Sequence, residues 1–246
     1  MITFDDVWVY MGNQAVLKNI SFTIDTIERV AVLGSSGEGK TTILRLIIGL
    51  TKPDSGRILI DGEDITDMDD EELQDVRRRF SIVFQEGALF DSLTVGENVA
   101  FYYREHTDFD DKEIETRVRE LLNKVGLEEE YDKHPTELSG GMRRRVAIAR
   151  ALSALEAQFF LYDEPTTGLD PINAAEIRKL VLELATDGRG FIIVTHEILD
   201  AVNLAEKFLF IKDGRIIYTG NRADFLHSSI QEIQDFLKPS MHVFGS

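Results

Sequence analysis

Gly34-Ser-Ser-Gly-Glu-Gly-Lys-Thr41 follows directly on the apolar run Val30-Ala-Val-Leu33 and leads into a segment of helical character, Lys40 to Leu50. The stretch fits the phosphate-binding pattern G-x-x-x-x-G-K-[ST] in the context that pattern requires: strand, loop, helix. Glycines at 34, 37 and 39 let the backbone fold tightly and aim N–H groups inward, where they can cradle the oxygens of a nucleotide triphosphate. Lys40 then reaches the outer phosphates, Thr41 offers its hydroxyl to Mg²⁺, and the helix N-terminus adds a partial positive charge beneath the anion. Gly34, Ser35, Ser36, Gly37, Glu38, Gly39, Lys40, Thr41 and Thr42 are therefore the candidate residues for holding ATP.

Outward from this loop the chain reads as α/β. Apolar runs at Val30 to Leu33, Phe80 to Phe84 (interrupted only by Ser81), Phe159 to Tyr162 and Phe191 to Val194 are expected of parallel strands covered on both faces by helices. Residues 2–10 and 16–24 instead alternate apolar and polar side chains, which predicts two antiparallel strands joined near Gly12-Asn13. Arg57 to Ile60 adds a further short strand, so the parallel core carries an N-terminal antiparallel β layer. Ile114, Val118, Leu121, Leu122 and Val125 form a helical stripe. One domain is expected over 1–246: a core with its β layer from 1–96 and 138–220, a helical subdomain over about 97–137, and short C-terminal helices with a tail over 221–246.

Composition narrows the function classes. Forty-three per cent hydrophobic and 29% charged residues read as soluble and globular, and a net charge of −17 argues against nucleic acid as a main partner. Cysteine is absent, which removes disulfides and thiolate metal sites. No apolar run reaches the ~20 residues a bilayer crossing needs, and the N-terminus lacks signal-peptide character, so work at a membrane requires another chain to hold this one there.

Gln158-Phe-Phe-Leu-Tyr-Asp-Glu-Pro165 delivers two acids at the C-terminal end of an apolar strand, where open α/β sheets bind their ligands. Asp163 is placed to hold the Mg²⁺ shell, and Glu164 to orient and deprotonate an attacking water. Leu138-Ser-Gly-Gly-Met142 opens a second helix, Met142 to Leu152, and so provides a second anion-seeking helix N-terminus. Two copies meeting head to tail would pair each phosphate loop with the other copy's Ser139, Gly140 and Gly141.

These motifs together resemble the ATP-binding cassette (ABC) ATPases, whose L-S-G-G-Q signature is present with Met142 in place of Gln. The resemblance implies a homodimer that hydrolyses ATP with Mg²⁺. It also implies roles for Gln85, as a loop glutamine that reports on Mg²⁺, for Asp170 at the dimer interface, and for His196 near the γ-phosphate as a switch histidine. Catalysis would then rest on Glu164, His196 and Gln85, and metal binding on Thr41, Gln85 and Asp163. The family often stacks adenine on an aromatic residue just before the glycine matching Gly12. Met11 stands there, with Tyr10 beside it and pointing to the opposite face if the strand alternates regularly, so both remain candidates for the adenine contact.

Within the family, Leu-Ser-Gly-Gly-Met followed by Arg143-Arg-Arg145, the segment Glu97 to Thr107, Asp163 to Ile172, and Ile230 to Leu237 are similar to the ATPase of Mla-type or Mce-associated lipid transporters. That similarity implies a homodimer at the cytoplasmic face of the bacterial inner membrane. There it would sit beneath an integral membrane permease and move phospholipid or a related lipid with an Mce-domain lipid-binding protein. Some such systems carry a STAS-domain subunit, and the few residues after Leu237 leave that partner open. The permease is expected to meet the segment Gln85 to Phe101, where Leu89, Phe90 and Leu93 are apolar. The alternatives are the ATPase of another ABC importer or exporter, or a soluble ABC ATPase serving cofactor assembly. The span between phosphate loop and signature is too short for the long coiled-coil arms of DNA-maintenance members.

Overall fold

The computed structural model of the chain describes residues 1–185 and 189–240. The end of the expected C-terminal tail, from residue 241, lies outside the described residues. Ten strands and nine α-helices follow in the order β1 (Ile2–Met11), β2 (Gln14–Ile24), β3 (Arg29–Leu33), α1 (Lys40–Ile47), β4 (Ser55–Ile60), β5 (Glu63–Asp64), α2 (Leu73–Arg78), β6 (Phe80–Val83), α3 (Val95–His106), α4 (Asp111–Lys124), α5 (Gly140–Leu152), β7 (Phe159–Asp163), α6 (Pro171–Leu184), β8 (Gly190–Thr195), α7 (Ile198–Leu204), β9 (Lys207–Lys212), β10 (Arg215–Asn221), α8 (Arg222–Leu226) and α9 (Gln231–Leu237) among the described residues.

Two sheets stack. One is antiparallel, in the order β2-β1-β4-β5, and the other has six strands in the order β10-β9-β3-β8-β7-β6. In the larger sheet β9, β3, β8, β7 and β6 run parallel, and β10 closes the edge antiparallel to β9.

The uniformly apolar runs have a simple cause. Successive side chains of a strand face opposite ways, and here both faces are covered. Val30, Val32, Phe159, Leu161, Ile192, Val194, Leu209 and Ile211 enter the core shared with the antiparallel sheet and α1. Their neighbours Ala31, Leu33, Phe160, Tyr162, Phe191, Ile193, Phe208 and Phe210 enter the core beneath α3 to α7. At about 1.5–3 kcal/mol for each fully buried large side chain, these four strands contribute a large share of what holds the layers together.

Several elements differ from the sequence reading, three of them for a visible reason. α1 stops at Ile47 rather than Leu50, because Gly49 adopts φ +64° and the chain closes on itself through Gly49 N–H to Leu46 O (3.1 Å) and Leu50 N–H to Arg45 O (2.8 Å). That is a Schellman C-cap. α5 begins two residues earlier than Met142, capped by the Ser139 hydroxyl, which accepts from Met142 N–H at 3.2 Å. β1 is not regular: its pairing with β2 shifts between Val7 and Val9 and again between Val9 and Tyr10, so Tyr10 and Met11 are both exposed instead of alternating.

Candidate functional site

The C-terminal ends of β3, β7 and β8 converge at one edge of the sheet, each followed by a loop carrying a candidate residue. After β3 the phosphate loop rises to Gly39, which stands at φ +90°, where a Cβ would lie 2.6 Å from Leu17 Cδ2 and 3.2 Å from the Val16 carbonyl oxygen. Only glycine fits there. Lys40 opens α1 and turns back into the loop: its buried ammonium donates to the carbonyls of Gly34 and Ser35, both at 2.9 Å. Burial lowers the Lys40 pKa, opposed by the nearby carboxylate of Glu164.

Asp163 ends β7 and is buried. It accepts a hydrogen bond from Thr41 Oγ1 at 2.9 Å, and its pKa is raised by desolvation against that bond. Glu164 leaves the strand at φ +45°, a conformation that strains a non-glycine residue by about 1–3 kcal/mol. Adjacent strand residues would point apart. The left-handed turn instead brings Glu164 to the same side as Asp163, with Oε1 3.6 Å from Lys40 Nζ and 3.1 Å from His196 Nδ1. Glu164 N–H bonds the Val194 carbonyl at 2.9 Å and Thr167 Oγ1 donates to Glu164 Oε2 at 3.1 Å, which holds the strained turn. His196 follows β8. Its Nδ1 is buried and faces Glu164 out of hydrogen-bond alignment, an unsatisfied nitrogen turned into the site.

The structure thus gathers Lys40, Thr41, Asp163, Glu164 and His196. Thr42 is buried in α1, whereas Ser35, Ser36 and Gly37 are exposed and Glu38 is half-buried. Ser139, Gly140 and Gly141 are elsewhere: Gly140 lines a cleft with Gln85, Arg143, Arg144 and Thr167 to Leu169, to which no residue of 34–42 contributes. Gln85 is exposed at the rim of that cleft, and Tyr10 and Met11 lie out on the antiparallel sheet, where Tyr10 stacks on Trp8 with ring centroids 6.3 Å apart. Asp170 accepts from Ile172 and Asn173 N–H at 3.0 and 3.1 Å and caps α6.

For Mg²⁺ the donor chemistry fits. Thr41 and Asp163 present hard oxygens side by side, and Mg²⁺ is commonly held by one or two such groups together with phosphate and water. No group of three or more His, Asp or Glu that could hold a metal unaided occurs among the described residues.

Four supporting residues escaped the sequence reading. Asp200, fully buried in α7, accepts from Thr166 Oγ1 and pairs with Arg178 at 3.0 Å, tying the loop after Glu164 to α6 and to the helix that follows His196. Desolvation raises its pKa. Asn98, fully buried in α3, receives Phe90 N–H at 2.8 Å and donates to the carbonyls of Phe90, Leu93 and Thr94. Arg144 donates to Phe84 O at 3.0 Å, and Arg150 to Ala88 O and Gly87 O at 2.7 and 2.9 Å, so the helix opened by Ser139 grips the segment around Gln85. Within the triplet 143–145, Arg144 is buried. The one available signal was a polar residue at a core-facing helical position.

A strand, a glycine loop with an inward lysine, and two acids and a histidine at neighbouring strand ends define a phosphate-loop nucleotide hydrolase. The family model described as ABC transporter matches residues 17–167. The chain belongs to the ABC transporter family and is an ATPase of that kind. It is 38% identical over 238 residues to the intermembrane phospholipid transport system ATP-binding protein MlaF of Escherichia coli K12, covering 96% of this chain and 88% of that protein. It is also 42% identical over 240 residues to the glutamine transport ATP-binding protein GlnQ of Escherichia coli K12, covering 97% and 99%. The fold superposes with a TM-score of 0.82, at 34% identity and over 90% of this chain and 98% of the other, on a dimeric post-hydrolysis state of the ATP-binding cassette MJ0796 bound to ADP and Pi.

Proposed function

We infer that this chain is the ATP-hydrolysing subunit of an ABC transporter that drives lipid, in particular phospholipid, transport across or between membranes. The observation that carries the ATPase is the meeting of Lys40, Thr41, Asp163, Glu164 and His196 at one sheet edge. Similarity to MlaF over nearly the whole chain supports the cargo.

In this reading the triphosphate enters the loop 34–42 and Lys40 exchanges the Gly34 and Ser35 carbonyls for phosphate oxygens. Thr41 and Asp163 would hold Mg²⁺, which would neutralise phosphate charge, and Gln85, which lies at the rim of the Gly140 cleft, would have to move toward them to join the metal. Lys40 then binds phosphate, and Glu164 Oε1 is released to accept the proton of the attacking water. His196 presents Nδ1 toward the same oxygen. A second copy supplies Ser139, Gly140 and Gly141, because Gly140 of the same chain lines a different cleft, to which no residue of 34–42 contributes. Dimeric cassettes among the structural neighbours support that assembly.

No helix among the described residues is long and apolar enough to cross a membrane, so an integral permease would anchor the dimer at the cytoplasmic face of the inner membrane. Phe90 and Phe101, 44% and 40% exposed with ring centroids 5.0 Å apart, offer that permease an apolar contact, while Leu89 and Leu93 are half-buried beneath it. An Mce-domain lipid-binding protein, and in some systems a STAS-domain subunit, would complete the machine.

The identity to GlnQ favours a second reading, an ATPase serving a different ABC transporter. Mass spectrometry of the proteins and lipids that copurify from native membranes separates the two. A polytopic permease with an Mce-domain protein and enriched phospholipid is expected; a permease paired with a soluble solute-binding protein would overturn the lipid assignment.

A further inference from the structure

Glu38 occupies the last of the variable positions in the phosphate loop, between Gly37 and Gly39. A carboxylate there is electrostatically at odds with the loop's task. The backbone N–H groups around it are arranged to receive an anion carrying several negative charges, and the side chain of Glu38 is only 11% exposed, so water screens it weakly.

Lys212, the last residue of β9, resolves the conflict. Its Nζ donates to Glu38 Oε1 at 2.9 Å. The contact is built from below: at Gly34 an added Cβ would lie 2.6 Å from the Ile211 carbonyl oxygen and 3.6 Å from Glu38 Cβ. The start of the loop, the stem of Glu38 and the end of β9 are thus pressed together, and the next residue after Ile211 is the lysine. The bond to Glu38 is the first cause raising the Lys212 pKa, so the ammonium is charged throughout the physiological range. Lys212 also stands 3.5 Å from Asp213, whose side chain is largely exposed and well screened.

We propose that Lys212 is a nucleotide-affinity residue acting through Glu38: it neutralises a carboxylate inside the phosphate loop, and the pair sets how tightly the loop holds a nucleoside triphosphate relative to less charged ligands. The proposal rests on the ATPase reading of the same loop. It differs from a simple brace in the sign of its effects. Removing the lysine leaves an uncompensated negative charge within the phosphate loop, near enough to act on Lys40, whereas removing the carboxylate leaves an ammonium balanced only by the exposed Asp213, which attracts the phosphates.

The test is a double-mutant cycle on the full chain, with ATP, ADP and adenosine binding measured by calorimetry for wild type, Lys212→Met, Glu38→Gln and the double variant, and thermal melting as a control for folding. Lys212→Met is expected to weaken ATP by roughly fivefold, ADP by less and adenosine not at all. Glu38→Gln is expected to tighten ATP by a similar factor, and the double variant to return to within about twofold of wild type. The proposal is overturned if both single variants weaken ATP, if adenosine is affected as much as ATP, or if neither variant changes binding. Failure of the wild-type chain to bind ATP would instead sink the ATPase reading itself.

Discussion

Lys40 Nζ stands 3.6 Å from Glu164 Oε1, a buried ion pair that joins the residue meant for the phosphates to the residue meant for the water. The two carbonyls that complete the Lys40 contacts are the partners that, in the proposed mechanism, phosphate oxygens would replace. Removing the lysine therefore has two effects. Lys40→Ala is expected to weaken ATP binding by at least tenfold, and also to destabilise the nucleotide-free chain, by about 1–3 kcal/mol, since a buried carboxylate loses its cation. Calorimetric titration and denaturant unfolding on the same preparation read the two separately.

Glu164→Gln keeps the size of the side chain and removes its capacity to take a proton. ATP binding is expected to persist while steady-state turnover falls by 100-fold or more, on the order of general-base contributions. Single-turnover hydrolysis checks it, and near-normal turnover would remove Glu164 as the base.

Asp163 makes the site costly to fold, with a direction that can be worked out. Its pKa in the folded chain is raised above 3.8 by burial, so its contribution to stability is fully present below 3.8 and is lost as pH rises through the elevated folded value. Asp200 behaves alike. The nucleotide-free chain should lose stability across that window. Asp163→Asn, which still accepts from Thr41, is expected to flatten the profile and raise the melting temperature at neutral pH while lowering turnover. Melting curves across pH for the two proteins test this, and parallel profiles would contradict it.

Asn98 anchors the segment beneath Phe90 through one accepted and three donated hydrogen bonds. Asn98→Ala leaves Phe90 N–H and Leu93 O without this partner, while Phe90 O keeps Leu93 N–H and Thr94 O keeps the backbone N–H of residue 98, and is expected to cost about 1–3 kcal/mol. Chemical denaturation measures the loss, and limited proteolysis should show new cleavage between Phe90 and Thr94.

Phe90→Ser with Phe101→Ser removes the exposed aromatic pair without touching the nucleotide site. ATP binding by the isolated chain should be unchanged, and copurification of the permease should be lost.

Much of this architecture was legible from residues alone, for identifiable reasons. β3, β7 and β8 bury both faces, so the runs Val30 to Leu33, Phe159 to Tyr162 and Phe191 to Val194 are apolar and stand out without any periodicity. The phosphate loop is legible because its glycines, lysine and threonine are contiguous. What escaped depends on contacts distant in sequence or on local backbone turns. Asp200 reaches Thr166 across 34 positions, and Arg150 reaches Gly87 across 63. The left-handed turn that places Glu164 beside Asp163 has no glycine to announce it. The same holds for the shifts in β1 that expose both Tyr10 and Met11, since a bulge is set by pairing with β2 and not by the residues of β1.

A structure of the Glu164→Gln chain with ATP and Mg²⁺ tests the central claim most directly. The account predicts a closed homodimer with two nucleotides, in which the γ-phosphate held by Lys40 of one copy lies within hydrogen-bond distance of Ser139 Oγ and the Gly141 N–H of the other. ATP held by one copy alone, with the second copy's Ser139 remote from the γ-phosphate, would contradict it.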